Sequence, residues 1–343
     1  MDLGSLREGL VPTAGRQFGL FTRQQAVSAG YPPGQVRVLI ARGSWVVVRR
    51  GVYTPVEIWE AQPGVDDRLW LRDVAAHLSM ATPHALSHDS AARALGLPML
   101  RPRSPLVHIT RPGVLGTRTV HGVKHHLGKE SPAETVGIGG ITVTGLARTS
   151  LDLAREHGHR SGLVAIDAAR RRGADLRSFE RELARMTHWP YVRTARAALG
   201  VSDPGAESIG ETLARDLVVE LGIGQVFTQF AVNLGYATVW CDLRVGCHVF
   251  EFDGRQKYLR IEQGGFSDEE PSDIVWREKV RERDICGEGL GMSRLVWGDF
   301  FGAARDRAKR RIHAEYARTV ALHGRTLPEH LARFAREHPR RTS

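Results

Sequence analysis

Two short amphipathic segments near the start of the chain predict a compact helical unit followed by a hairpin. The segment Thr22-Arg-Gln-Gln25 has the spacing of a capping box, and small apolar residues follow it, which predicts the start of a helix. Glycine and proline residues end that helix, and a second helix is predicted at about 35–42. The β-rich run at 45–48 and a return strand at 52–53 flank Arg-Arg-Gly. Helix, turn, helix and hairpin is the order of a winged helix-turn-helix.

The segment from residue 56 to residue 200 alternates helical and strand-like patterns of moderate length. Several of its histidines fall close together in the sequence, but no pair combines i,i+4 helical spacing with a third ligand. We therefore interpret these histidines as surface or core residues rather than metal ligands. Helices are predicted at 69–78, from 87, at 147–155 and at 162–172, and strands at 107–110 and 140–144.

A third pattern begins after the linker-like Ser202-Asp-Pro-Gly205. An amphipathic helix is followed by strand-like runs that glycine and asparagine turns separate, and then by a further helix and strand. The predicted order is αβββαβ, with a helix at 206–221, strands at 227–232, 238–245 and 248–253, a helix at 274–287 and a strand at 292–297.

The net charge differs in sign between segments of the chain. The 343 residues carry a net charge of +10, which suggests a polyanionic partner such as nucleic acid. Resolved by segment, the charge is +5 over 1–55, +6 over 56–200, −8 over 201–300 and +7 over 301–343. We predict a mixed α/β protein with domains at these boundaries: a winged helix, a middle α/β domain, an αβββαβ domain and a basic helical tail.

Composition narrows the class of protein further. The content of 42% apolar and 25% charged residues is typical of a globular chain and excludes a disordered tail protein or a collagen-like repeat. No apolar run has the length of a membrane span, and no signal peptide is recognised, so we expect no membrane partner. Three cysteines without CxxC spacing favour free thiols in a reducing cytoplasm.

Candidate DNA contacts lie in the first segment. Gln35 and Arg37 stand at the start of the predicted second helix, where base contacts usually originate. Arg49 and Arg50 lie at the hairpin tip, which suits contact with phosphates. The other reading of these residues is a solvated basic face. The predicted DNA-binding set is Arg23, Gln35, Arg37, Arg42, Arg49 and Arg50.

Acidic residues of the third segment are the strongest candidates for chemistry. Strand alternation places Glu251 and Asp253 on one face, and the preceding strand carries Asp242 in an apolar run. With Glu211 from the preceding helix, these carboxylates converge and would repel one another without a divalent cation. Oxygen ligands favour Mg²⁺ or Mn²⁺, the usual ions of phosphodiester hydrolysis. Lys257 is placed to reach the same phosphate or the attacking water.

A simple ion-pair network is the alternative for these acids. In that case Glu251 and Asp253 pair with Arg244, Arg255 or Lys257, and no metal is needed. The spacing of the cysteines and histidine in this segment fits no zinc pattern, so we interpret Cys241, Cys247 and His248 as packing residues.

Two family resemblances join these motifs. Residues about 17–180 resemble the AbiEi family of type IV antitoxins and transcriptional regulators, through FTRQQAVSAGYPPGQVRVLIARGSWVVVRRGVYTP, SHDSAARALGLP, VHITRP and GLARTSLDLA. Residues about 203–300 resemble the Vsr-like, restriction-endonuclease-like domains of the PD-(D/E)XK superfamily, through AESIGETLAR, CDLRV, VFEFDGRQKY and WREKVRERDICGEGLGMSRLVW.

The resemblances imply roles for particular residues. The first implies a winged helix that binds promoter DNA, followed by an antitoxin domain. The second implies that Glu211, Asp242 and Glu251 hold the metal. Asp253 stands where the superfamily has lysine, so Lys257 becomes the candidate substitute, and the predicted catalytic set is Asp242, Glu251, Asp253 and Lys257.

Two functions follow from these observations. The first is a DNA-binding protein with a Mg²⁺- or Mn²⁺-dependent endonuclease domain, in phage defence, toxin–antitoxin biology or DNA repair. The alternative is a non-enzymatic autorepressor or type IV antitoxin whose nuclease fold is degenerate, with a nucleotidyltransferase toxin as a further candidate partner. Action on RNA ranks lower, because the stacking aromatics of common RNA-binding modules are not recognised. The sequence allows a homodimer but does not determine the oligomeric state.

Overall fold

A computed structural model describes residues 3–100, 102, 104–128, 135–254 and 271–340. The chain divides into two compact units, one comprising Met1–Ala169 and Ala174–Gly200, the other Arg170–Gly173 and Val201–Ser343. Within the described ranges, no helix combines the length and the apolar character that a membrane span requires.

The first unit begins with a winged helix, as predicted. Its antiparallel sheet has the strand order β1-β3-β2. The capping box forms: Thr22 Oγ1 accepts a hydrogen bond from the backbone N–H of Gln25 at 3.2 Å, and Gln25 Oε1 accepts one from the backbone N–H of Thr22 at 2.7 Å. The elements are α1 Val11–Arg16, β1 Phe21–Thr22, α2 Arg23–Ser28, α3 Pro33–Ala41, β2 Trp45–Arg49, β3 Val52–Pro55 and α4 Val56–Glu60.

Aromatic packing fixes this winged helix. The buried rings of Phe21 and Trp45 meet edge to face with centroids 4.7 Å apart, and Tyr31 packs on the same indole at 4.9 Å. Edge-to-face pairs of this kind add about 0.5–1.5 kcal/mol beyond the area they bury. The sheet is thereby joined to the loop between α2 and α3.

A mixed sheet with the strand order β6-β7-β5-β4-β9-β8 forms the rest of the first unit together with helices. Helices α7 and α8 can approach closely because residue 162 is glycine: a Cβ there would lie 2.2 Å from Ala154 Cβ. The elements are α5 Val65–Leu78, β4 Ala85–Leu86, α6 His88–Leu95, β5 Val107–Arg111, β6 Thr117–Val120, β7 Val123–Leu127, β8 Thr135–Ile138, β9 Ile141–Thr144, α7 Leu146–His157, α8 His159–Arg171, α9 Leu176–Arg185 and α10 Val192–Gly200.

The second unit has the predicted order αβββαβ. Its sheet is arranged β10-β11-β12-β13, with β10, β11 and β12 antiparallel and β13 parallel to β12. A parallel last pair requires a crossover, which α12 supplies. The elements are α11 Ile209–Glu220, β10 Phe227–Asn233, β11 Thr238–Val245, β12 His248–Asp253, α12 Pro271–Gly287, β13 Gly291–Val296, a 3₁₀ turn at Trp297–Phe300, α13 Gly302–His323 and α14 Glu329–Glu337.

The basic C-terminal segment is helical, as expected, and packs into the second unit. Leu331 of α14 is buried in one hydrophobic cluster with Phe230 and Ile285. In α13, Arg305 lies 2.7 Å from Asp216 of α11, and both side chains are buried. These contacts make residues 302–337 part of the unit's core rather than a solvated tail.

Candidate functional site

Carboxylates from three elements line one cleft of about 490 Å³ in the second unit. Glu211 lies in the first turn of α11, Asp242 in β11 and Glu251 in β12. Strand register explains part of this, because Leu243 pairs with Phe250, and the next step along the two strands brings Asp242 beside Glu251. The three side chains predicted as metal ligands therefore face the same space.

The carboxyl of Glu211 is partly buried and well supplied with donors. Its Oε2 accepts hydrogen bonds from the backbone N–H of Glu207 at 2.8 Å and from Gln229 Nε2 at 3.1 Å, and its Oε1 accepts one from the Ser208 hydroxyl at 2.9 Å. Burial and the carboxylate of Asp242 nevertheless raise the pKa of Glu211 to about 7. A bound cation would favour the charged form, since it offsets both effects.

Basic side chains also reach this cleft. Arg281 Nη2 lies 3.2 Å from Glu251 Oε1 and donates to the carbonyl of Trp240 at 2.8 Å. Arg340 pairs with Glu207 at 2.7 Å. Glu211, Asp242 and Glu251 do not form a group whose donor atoms all come within 4.8 Å, as far as the described residues extend. The cleft thus joins an acidic centre to a partly basic rim.

Asp253 departs from the prediction that it shares the site with Asp242. It does not line the cleft, and its Oδ2 lies 3.6 Å from Arg294 Nη1 in the neighbouring strand β13. The physical reason is the parallel pairing of β12 with β13, which brings an arginine to this carboxylate. Lys257 lies outside the described residues, so its predicted role stays a prediction.

The ion-pair alternative holds in part, but with other partners. Glu251 pairs with Arg281 and Asp253 with Arg294, whereas the expected partner Arg244 stacks over the ring of Phe227 at 4.4 Å. Arg255, like Lys257, is outside the described ranges. Ion pairs therefore occupy the sheet edge at which the sequence predicts a cation site.

Sequence reasoning missed a histidine cluster in the first unit. His88 at the start of α6, His108 in β5 and His126 in β7 bring ring nitrogens within 4.8 Å of one another. Linear spacing gave no signal, since the residues come from three elements. The sequence signal that could have found part of the cluster is His108, which lies inside the apolar and β-branched run 107–110. A polar side chain buried in such a strand requires a partner.

The predicted DNA contacts fall into two groups. Exposed side chains on or beside α2, α3 and the hairpin include Arg23, Arg37, Arg42 and Arg50. Gln35 is half-buried, and its Oε1 accepts a hydrogen bond from Arg7 Nη2 at 2.9 Å.

Family comparison adds to this geometry. Residues 10–56 match the AbiEi antitoxin family of transcriptional regulators. The match runs from the start of the winged helix to the first residue of α4. No curated protein matches the chain. The winged helix is thus an AbiEi-type regulator domain.

Within the AbiEi-type domain, Arg49 differs from its predicted place at the wing tip. Its Nη1 donates to the carbonyl of His121 at 3.1 Å, so it ties the hairpin to the turn between β6 and β7. The register of β2 against β3 shifts between Val47 and Arg49, and such a bulge redirects side chains. Arg50 remains exposed in the turn.

Proposed function

We propose that the protein is a DNA-binding transcriptional regulator that recognises DNA through its AbiEi-type winged helix. The observation that carries this proposal is the family match to a fully formed winged helix with exposed arginines on its helices and hairpin. In winged helix-turn-helix domains the second helix of the motif enters the major groove. Here that element is α3.

The residues divide into positioning and reading roles. Arg37, exposed on α3, is placed to meet base edges, whereas the half-buried Gln35 accepts a hydrogen bond from Arg7. Arg23 at the start of α2 and Arg50 in the hairpin turn suit phosphate contacts, which fix register and make affinity depend on salt.

Fluorescence anisotropy with the full chain tests this assignment. The probes are the DNA upstream of the protein's own coding sequence and an unrelated duplex of equal length. We expect R37A to weaken specific binding by about 1–3 kcal/mol. R50A should reduce the slope of log binding constant against log salt concentration by about one. R185A, an exposed arginine of α9, is the matched control. Equal affinity in R37A, R50A and wild type refutes the proposal.

A second candidate function is metal-dependent hydrolysis of DNA phosphodiester bonds by the second unit. The observation that favours it is the shared cleft of Glu211, Asp242 and Glu251, with the pKa of Glu211 raised by burial and by Asp242. A resemblance to Vsr-like PD-(D/E)XK nucleases supports the same interpretation.

The chemistry of this donor set suits a hard cation. Glu211, Asp242 and Glu251 would hold Mg²⁺ or Mn²⁺, and a bound ion of this kind activates water and offsets charge on phosphate. Arg281 lies at the rim, within reach of an anionic substrate in the cleft. Asp253 is left out of this catalytic set because Arg294 holds it elsewhere.

Cleavage of supercoiled plasmid by the full chain with Mg²⁺ or Mn²⁺ tests the second function. D242N should abolish nicking without changing DNA affinity, whereas D306N, an exposed aspartate of α13, should cut as wild type does. Cleavage that persists in D242N refutes the assignment. Absence of both cleavage and divalent-ion binding in the wild type favours the non-enzymatic regulator, for which a nucleotidyltransferase toxin is the proposed partner.

A further inference from the structure

Three histidine rings meet in the interior of the first unit. His108 Nδ1 and His126 Nε2 lie 3.0 Å apart, and the ring of His88 stacks on that of His126 with centroids 3.7 Å apart. His88 and His108 are 2% exposed and His126 is 9% exposed. Burial lowers the pKa of His108 to about 4 and that of His126 to about 3, so both rings are neutral at pH 7.

The second ring nitrogens of His108 and His88 face oxygen atoms that could accept their N–H groups. His108 Nε2 points toward Asp89 Oδ2 at 3.9 Å, and His88 Nδ1 lies 3.0 Å from Ser87 Oγ and 3.8 Å from Asp152 Oδ2. Metal-bound histidines usually donate their second N–H to a carboxylate or similar acceptor. The far edges of His108 and His88 therefore have the surroundings of histidine ligands.

A buried carboxylate oxygen beside the histidines is a candidate acceptor for the N–H of a metal-bound ring. Asp89 Oδ2 has no hydrogen-bond partner among the described residues, although the other oxygen of this carboxylate lies 2.6 Å from His157 Nε2. If His108 Nδ1 binds a cation, the ring proton resides on Nε2, directed at this oxygen. A metal-bound His108 would thus direct its Nε2–H at this acceptor, which lies 3.9 Å away.

We propose that His88, His108 and His126 form a site for a borderline transition metal, with Zn²⁺ as the representative ion. Tetrahedral Zn²⁺ with Zn–N bonds of about 2.0–2.1 Å holds its ligand nitrogens roughly 3.4 Å apart. The ring nitrogens already lie within 4.8 Å of one another. Because the rings of His88 and His126 are stacked nearly parallel, one of these side chains must rotate for both lone pairs to point at the same ion. Neutral imidazoles exclude Mg²⁺ and Ca²⁺, which take oxygen ligands.

The surroundings leave a coordination position for an external ligand. His88 and His126 line a cavity of about 670 Å³ that also includes Lys124 and Arg155. Two carboxylates near the cavity are already paired: Asp152 lies 2.7 Å from the Arg155 guanidinium, and Glu156 pairs with Lys124. A dication held by three neutral rings would therefore be balanced by a small anion or hydroxide entering from the cavity.

The test uses the full chain, stripped of metal and then titrated with Zn²⁺ against a chromophoric chelator in excess Mg²⁺. The excess Mg²⁺ occupies any carboxylate site in the second unit. We expect one equivalent of Zn²⁺ to bind, and H126Q to lower its affinity by about 100-fold or more. D89N, which leaves the three rings in place, should lower affinity by about 10–100-fold.

A second histidine pair offers the matched control. His77 Nδ1 lies 2.9 Å from His84 Nε2, and among the described residues no third ligand completes a metal-binding group with them, so H77Q should bind Zn²⁺ as wild type does. Equal Zn²⁺ affinity in H126Q and wild type, or no bound equivalent in wild type, overturns the proposal. Should H126Q fail to fold, pulsed EPR of the Cu²⁺-loaded wild type counts coordinated imidazoles: three support the site, and one or none refutes it.

Discussion

The backbone N–H of Phe252 donates a hydrogen bond to Asp242 Oδ2 at 2.8 Å, joining β12 to β11 at the edge of the acidic cleft. The paired residues of these two strands end at Leu243 and Phe250, so the carboxylate continues the connection where the backbone ladder stops. Asp242 therefore has a structural role in addition to the metal-binding role proposed for it.

Substitutions of Asp242 should separate these roles. D242N keeps an oxygen that can accept from Phe252, whereas D242A leaves the N–H without this acceptor. We expect D242A to lower the free energy of unfolding by about 1–3 kcal/mol and D242N by clearly less. Urea denaturation of the metal-free chain measures both. A D242A variant as stable as wild type would show that the hydrogen bond contributes little.

Removing the charge of Glu211 should stabilise the metal-free protein at neutral to alkaline pH. Its folded pKa of about 7 lies above the usual value of 4.5, so the folded state holds the proton more tightly and stability falls as pH rises from 4.5 through 7. E211Q cannot titrate there. We expect the free energy of unfolding of E211Q to exceed that of wild type by about 1–2 kcal/mol above pH 7. Added Mg²⁺ should reduce this difference, because a bound cation stabilises the charged carboxylate of the wild type. Thermal melts across pH test this; a less stable E211Q at pH 8 contradicts it.

Local rules predicted most of the elements, because capping and periodicity act within a few residues. The capping box at Thr22 forms, and the strands at 238–245 and 248–253 have the predicted bounds. The carboxylate cleft also followed from period-two alternation along adjacent strands. These features depend on residues that are close together in the sequence, so they can be predicted from one sequence.

Long-range pairing is what the sequence did not disclose. Arg294 reaches Asp253 because β13 runs parallel to β12, and the length of a crossover does not determine which strand the chain returns to. His108 and His126 meet because β5 and β7 are neighbours with β6 between them in the chain. Such contacts depend on strand order, and residue spacing alone does not determine it.

Gly210 is required for the close approach of α11 to β12. A Cβ at this position would lie 2.0 Å from the ring of Phe252, so G210A must displace the ring or the helix. We expect a loss of about 1–3 kcal/mol in the free energy of unfolding, the usual cost of overpacking. G287A in α12 is the control, since a Cβ there meets nothing within 4 Å. Equal stability of G210A and G287A in urea denaturation would contradict this prediction.

Buried His248 should make the protein sensitive to acid. Its Nδ1 lies 2.6 Å from Thr319 Oγ1 and its Nε2 2.8 Å from Ser293 Oγ, and burial lowers its pKa to about 4. The unfolded chain takes up the proton near pH 6.5, so the stability that neutral His248 contributes is present above that pH and is lost as pH falls toward 4.

The variant H248Q should therefore lose less stability than wild type between pH 6.5 and 4, by up to about 3 kcal/mol. H313Q, at an exposed position of α13, is the matched control and should follow the wild-type curve. Urea midpoints measured across this range compare the three chains. Parallel curves for H248Q and wild type would place the acid sensitivity in other groups, because glutamine at 248 cannot take up the proton.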